Sequence, residues 1–261
     1  QGSGLTVLAL ANPQQEVQAG QELQVISNLL RLLPQEPALG LQAGRRYQLA
    51  HYGIWGYALL SSSNLREALE LGLRYLDLTF AFTRIALIQQ AEREYLQLDV
   101  HAVPASLQDF ALLRDCAAIA LIQQELTGEP RPFVAVDLAM QSPDEAGLAV
   151  FRQALGCTPR FAQPGNRIEL NQRLLARPLR GGNSAPGQLC EAQCRELLQR
   201  HRQRAGLAAK VREHLLRQPG QMLDMPQLAG QLNMSERTLR RKLAAEQISF
   251  RQLQDESREA L

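Results

Sequence analysis

At 261 residues, 45% of them hydrophobic and only 5% aromatic, the chain can bury a sizeable core and has room for one large domain and one small one. A formal net charge of +2 and four cysteines without C-x-x-C spacing exclude a disulfide framework, a zinc ribbon and a uniformly basic polyanion binder. The longest apolar run, Cys116–Ile122, is far too short to cross a bilayer and no signal peptide is evident, so a cytoplasmic protein without membrane contact is predicted.

From Leu5 to about Thr79 the pattern is helical. Leu23, Ile26, Leu29, Leu30 and Leu33 share one stripe over 21–33, which Pro34 closes because its ring cannot continue a helix. Asn64 and Glu67 have capping-box spacing and open a helix that directs Leu65, Leu69, Leu73 and Leu76 inward. The period then changes. Segments 85–88 and 95–103 read as strands joined by a loop, the second alternating Leu96, Leu98 and Val100 with Gln97, Asp99 and His101. Ser106 is the expected cap of a helix to about Leu126, apolar all round at its centre and therefore in the core. Val134, Val136 and Leu138 mark a strand and 144–155 a helix. Pro164-Gly165-Asn166 has the chemistry of a hairpin turn between 160–161 and 167–170. The expected fold class is α+β: a helical layer on a small mixed sheet, followed by an all-α piece.

Gly181–Gly187 is the best linker by composition, and helices are predicted at about 188–203 and 206–217. Charge divides the chain unevenly: residues 1–194 hold 15 basic and 18 acidic side chains, whereas residues 195–261 hold 13 and 8. A mildly acidic body with a basic end suits a sensor joined to a polyanion-binding module. Domains are expected at 1–204, for effector binding and dimerisation, and at 205–261.

The last forty residues carry the sharpest signal. Asp224 and Gln227 form another capping-box pair, and Asn233 tolerates the left-handed backbone of a tight helix exit. Ser235 is the expected cap of a second short helix, with Glu236 at its positive end. On that helix Leu239 and Leu243 share one stripe, while Arg237 and Arg241 lie opposite, flanked by Thr238 and Arg240. A helix with an apolar back and an arginine-rich front fits the major groove, where arginine takes guanine O6 and N7 bidentately and Lys242 grips phosphate. The competing reading is a solvated face on a helical hairpin.

Ala229, the Leu-Asn-Met-Ser run 232–235, Arg237, Leu239 and the Arg-Arg-Lys-Leu run 240–243 resemble the first DNA-binding motif of AraC/XylS-type transcription regulators. Residues 244–250 match that family's loop before its connecting helix, where Ser249 and Gln252 repeat the capping-box spacing. Segments 38–44, 52–69 and 151–161 are similar to the effector domain of a subgroup named for an arabinose-binding-like regulatory domain. The resemblance implies a bacterial regulator with double-stranded promoter or operator DNA as partner, contacted by Ser235, Glu236, Arg237, Thr238, Arg240, Arg241 and Lys242. It further implies a homodimer, a small-molecule effector, RNA polymerase as a further partner, and no cofactor. Two departures stand out. Gln247 occupies a position usually taken by glycine, and the chain stops at Leu261 inside the connecting helix, so an incomplete module lacking the second helix-turn-helix is expected.

His51, Tyr52 and Trp55 lie on the segment resembling the effector domain and are candidates to line a ligand pocket; a core or dimer contact is an equal reading for Trp55. Cys190, Cys194 and His201 share a helical stripe, but with Leu197 on it and no fourth ligand a core-facing seam outweighs a metal site. No G-x-S-x-G, P-loop, H-E-x-x-H or dinucleotide fingerprint occurs, so catalysis is not expected. An adaptor for dimerisation or protein interaction, with an incomplete DNA-binding module, is the alternative function.

Overall fold

The computed structural model describes residues 2–6, 17–34, 36, 38–179, 181–182, 184–204, 206–217, 224–246 and 248–259. The chain is α+β and divides into two compact units, Gln1–Cys190 and Glu191–Leu261. The division falls inside one helix, Ser184–Arg204, upstream of the boundary expected at 204/205. Part of the expected Gly181–Gly187 linker is itself helical, because that helix already starts at Ser184.

In the first unit, α1 (Ala19–Leu32) is followed by α2 (Leu39–Gly44), a 3-10 turn at Leu49–Tyr52, α3 (Gly53–Leu60) and α4 (Leu65–Arg74). Asn64 caps α4 as its spacing predicts, its side chain accepting from Glu67 N, while Glu67 Oε2 takes Ser63 N at 2.7 Å. Strands β1 (Arg84–Gln90) and β2 (Arg93–Asp99) form a hairpin tighter than expected, with Ala91 at φ 55° in its turn. Helix α5 (Gln108–Thr127) has no side-chain cap; a 3-10 turn at Ala105–Leu107 leads into it, so Ser106 lies before the helix rather than capping it. Then come β3 (Phe133–Asp137), α6 (Glu145–Leu155), β4 (Asn166–Leu170) and α7 (Gln172–Leu175).

The sheet has order β1-β2-β4-β3, and every strand pair is antiparallel, which corrects the mixed sheet expected. The strand expected at Val134 and Val136 is present, with an irregularity, while the hairpin expected after it fails. A register shift between Phe133 and Ala135 turns Val134 out to solvent, 55% exposed, while Phe133 and Val136 point into the core. Arg160 bridges to Asp137 of β3 in parallel instead of pairing with 167–170, so the predicted hairpin does not form. The reason is a competing partner. Buried Asp137 accepts from Arg160 Nε at 2.5 Å and from Arg167 Nε at 2.7 Å, drawing the 160 segment to β3.

Burial, the largest influence on the Asp137 carboxyl, works to raise its pKa, but the hydrogen bonds and charges of these two arginines outweigh it and hold it below the usual carboxylate value. A depressed folded pKa supplies stability that is present above the unfolded value of about 3.9 and is lost as pH falls through the folded pKa. Asp137→Asn therefore costs about 1–2 kcal/mol at neutral pH and flattens the decline below about pH 4. Urea titrations of both proteins between pH 3 and pH 7 check this; parallel pH profiles would disprove it.

The core of this unit lies between the sheet and α5, where Leu96, Leu98, Val136 and Ile168 meet Leu112, Cys116 and Ala120. Helix α2 approaches α5 through two glycines, one turn apart. A Cβ at Gly40 would lie 2.4 Å from Phe110 O and one at Gly44 only 2.1 Å from Arg114 O, so backbone meets backbone there.

The second unit holds α8 (Ser184–Arg204) from Glu191 onward, α9 (Gly206–Arg217), α10 (Met225–Gln231), α11 (Glu236–Ala245) and α12 (Phe250–Glu259). Its own core joins Val211, Leu215, Leu228, Leu239, Leu243 and Leu253. Gln247, at the position usually taken by glycine, lies outside the described residues.

Candidate nucleic-acid interface and ligand cavity

The turn between α10 and α11 follows from its residues. Asp224 accepts from Gln227 N at 2.9 Å and Gln227 Oε1 accepts from Asp224 N at 3.1 Å, the reciprocal capping box that starts α10. Asn233 takes φ 52° and lets Met234 N reach Ala229 O at 3.0 Å, closing the helix exit. Ser235 Oγ then accepts from Thr238 N at 3.2 Å and contacts Thr238 Oγ1 at 2.9 Å, so Thr238 is half-buried and engaged with the cap.

Leu239 and Leu243 are fully buried beneath α11, whereas Glu236, Arg237, Arg240, Arg241 and Lys242 are exposed. Arg240 Nη2 lies 3.5 Å from Met225 Sδ of α10. Among the described residues none of the three arginines or Lys242 forms an ion pair with a carboxylate. The outward face of α11 is thus an uncompensated cationic ridge on a rigid apolar base.

A contact not foreseen in the sequence ties that helix down. Glu246, the residue after α11, accepts from Leu207 N at 2.6 Å and from Ala208 N at 2.8 Å, one oxygen for each of two unpaired donors at the start of α9. Only its position after the last apolar residue of α11 hinted at this role.

The first unit contains a cleft lined mostly by aromatic and aliphatic side chains, the kind of wall that small-molecule sites present. Tyr52 and Trp55 line it, with ring centroids 4.9 Å apart; Phe80 adds a third ring 5.5 Å from Tyr52, and Tyr47 a fourth, 5.7 Å from Phe80. His51 does not line the cleft and is exposed at the end of the 3-10 turn. Trp55 is buried, its Nε1 donating to Gly72 O at 3.3 Å. Burial, reinforced by the negative charge of Asp115, pushes the Tyr52 phenol well above its ordinary pKa and keeps it neutral.

Arg114 and Asp115 lie at the cleft wall and were not singled out in the sequence, since nothing in the helical pattern of α5 distinguishes them from solvent-facing charges. Both are nearly inaccessible. Arg114 donates through Nη1 to Glu22 at 2.7 Å, through Nε to Asp115 Oδ1 at 3.0 Å and through Nη2 to Phe80 O. Asp115 Oδ2 accepts from Thr83 N at 3.0 Å. Of the cysteine–histidine stripe, Cys194 is buried and Cys190 half-buried, and the His201 side chain lies outside the described residues. Among the described residues no group of three His, Cys, Asp or Glu could hold a metal, and no helix is long and apolar enough to cross a membrane.

Residues 1–179 match the family model described as the arabinose-binding domain of AraC transcription regulator, N-terminal part. An uncharacterised HTH-type transcriptional regulator of Mycobacterium tuberculosis is 33% identical over 267 residues, covering 98% of this chain and 75% of that protein. The ornithine utilization regulator of Pseudomonas aeruginosa is 34% identical over 227 residues, covering 87% of this chain and 66% of that protein. The crystal structure of the transcriptional regulator CdpR from Pseudomonas aeruginosa shares the fold at a TM-score of 0.54 and 22% identity, covering 96% of this chain and 81% of that one.

Proposed function

Since the chain belongs to the AraC family of DNA-binding transcription regulators and carries the family's N-terminal effector domain, we propose that α11 is its reading head and that the cleft beside Tyr52 and Trp55 is its sensor. The carrying observation is the ridge of Arg237, Arg240, Arg241 and Lys242, exposed and unpaired among the described residues. Arg237 and Arg241 read base edges, while Arg240 and Lys242 hold phosphates. Ser235 and Thr238 set the pitch of the helix through its cap, and Glu236 sits at its amino end, where a carboxylate steers against misplaced phosphate. The protein acts as a homodimer, so that two such helices contact successive turns of the major groove. Ligand in the cleft biases this arrangement through its different affinity for the two states.

Selection from randomised duplexes followed by mobility-shift titration at two salt concentrations tests the assignment. Arg241→Ala is expected to cost about 1–3 kcal/mol on the selected site and to relax preference at one base pair. Lys242→Ala weakens selected and scrambled DNA alike and lowers the salt slope by about one. Failure of the selection to converge, with weak binding abolished by salt, would favour the adaptor reading instead.

A further inference from the structure

The cleft's hydrogen-bonding inventory shows what it can hold. Thr79 Oγ1 is spent on Leu76 O at 2.7 Å, Trp55 Nε1 on Gly72 O, and Tyr47 engages Arg114. The two charged side chains of the wall neutralise each other, Arg114 having each nitrogen occupied and Asp115 both oxygens. Besides the Tyr52 hydroxyl, what remains is Gln123. Its side chain is only 4% exposed, it lines the cleft from α5, and its Nε2 has no partner among the described residues. A buried amide donor without an acceptor is costly in a native fold, so it marks a place where something else supplies the acceptor. The rest of the wall is aromatic and aliphatic: Tyr52, Trp55, Leu59, Leu73 and Ile119.

We propose that the effector of this chain is a neutral, predominantly apolar small molecule carrying a carbonyl-type acceptor, which Gln123 Nε2 binds at the floor of the aromatic cleft. The inference rests on the sensing role proposed above and narrows it to a ligand class. It departs from the sugar in the description of the matching family domain. A pentose bears an oxygen on nearly every carbon, and this wall offers one orphaned amide and the Tyr52 hydroxyl to meet them. Each sugar hydroxyl left unpaired in the cleft weakens binding by on the order of tenfold. Ornithine, named in one relative, is disfavoured for another reason. Its ammonium groups and carboxylate need counter-charges, and Arg114 and Asp115 are already committed to each other.

Trp55 is the single tryptophan of the chain and lies in the cleft wall, so its fluorescence reports occupancy directly. Camphor, a neutral apolar cage with one carbonyl, is the probe, titrated into the whole protein beside L-arabinose and L-ornithine. Camphor is expected to shift Trp55 emission saturably and raise the Tm, while the sugar and the amino acid do neither. Gln123→Leu and Gln123→Met, which keep the volume and remove the donor, weaken camphor about 3- to 10-fold with unchanged circular dichroism. Absence of a camphor response, equal affinity in both variants, or saturable Gln123-dependent binding of arabinose or ornithine would each overturn the proposal. The regulator reading fails separately: a protein that takes camphor but selects no DNA loses that reading and keeps the cleft chemistry. One that selects DNA yet prefers arabinose does the reverse.

Discussion

Arg114→Met is expected to lower the unfolding free energy of the first unit by about 3–5 kcal/mol, read by urea denaturation through Trp55 emission. Removing the guanidinium strands two carboxylates. Asp115 is buried and would keep only Thr83 N, and Glu22, whose pKa burial already raises, would lose the cation that opposes that rise. Desolvation is the largest influence on Arg114 itself and disfavours its charge, yet Asp115 and Glu22 together override it and keep the guanidinium charged. Arg114 also stands over the Tyr47 and Phe82 rings, 5.7 Å and 4.9 Å from their centroids, so its loss loosens the aromatic wall as well. Adding Asp115→Asn to the methionine variant should recover part of the loss, since the burden lies in the orphaned charge rather than in the missing contact. A loss below about 1 kcal/mol would mean that water reaches these groups far more freely than their burial indicates.

Gly44→Ala is expected to cost about 3 kcal/mol, at the upper end for overpacking, because the added methyl would meet a carbonyl oxygen and the Ala117 Cβ at once. Neither neighbour is the tip of a flexible side chain, so α2 must lift from α5 to admit it. Gly20→Ala is the control. Nothing lies within 4 Å of that Cβ, in the first turn of α1, and the substitution should be neutral or stabilise by up to about 1 kcal/mol. A melting-temperature comparison of the two variants decides the matter, and equal shifts would refute backbone contact as the cause.

Local chemistry was the legible part of this chain. The caps at Asn64, Asp224 and Ser235, the left-handed exit at Asn233 and the apolar stripe of α11 all depend on residues within one helical turn of each other. What escaped depends on partners distant in sequence. Arg160 was expected to pair with its neighbour across a turn, yet a buried carboxylate 23 positions away holds it at β3. The strand at Val134 and Val136 was legible, but the register shift that turns Val134 to solvent was not. The glycines at 40 and 44 carry no local signal of their use, which appears only when α5 is laid against them. The cleft was glimpsed through Tyr52 and Trp55, while the residues that give it chemical character, Arg114, Asp115 and Gln123, sit in a helix too uniformly apolar to reveal which face is hollow.

Glu246 gives the basic end of the chain a mechanical property. Its two oxygens clamp the amino end of α9, and the backbone just behind them is the last turn of α11, so the two helices share a rivet rather than a hinge. A displacement of the start of α9 is thereby passed to the last turn of α11 through these two hydrogen bonds. A regulatory signal then needs only a small torque on one short stretch of backbone to aim the ridge along a groove or away from it.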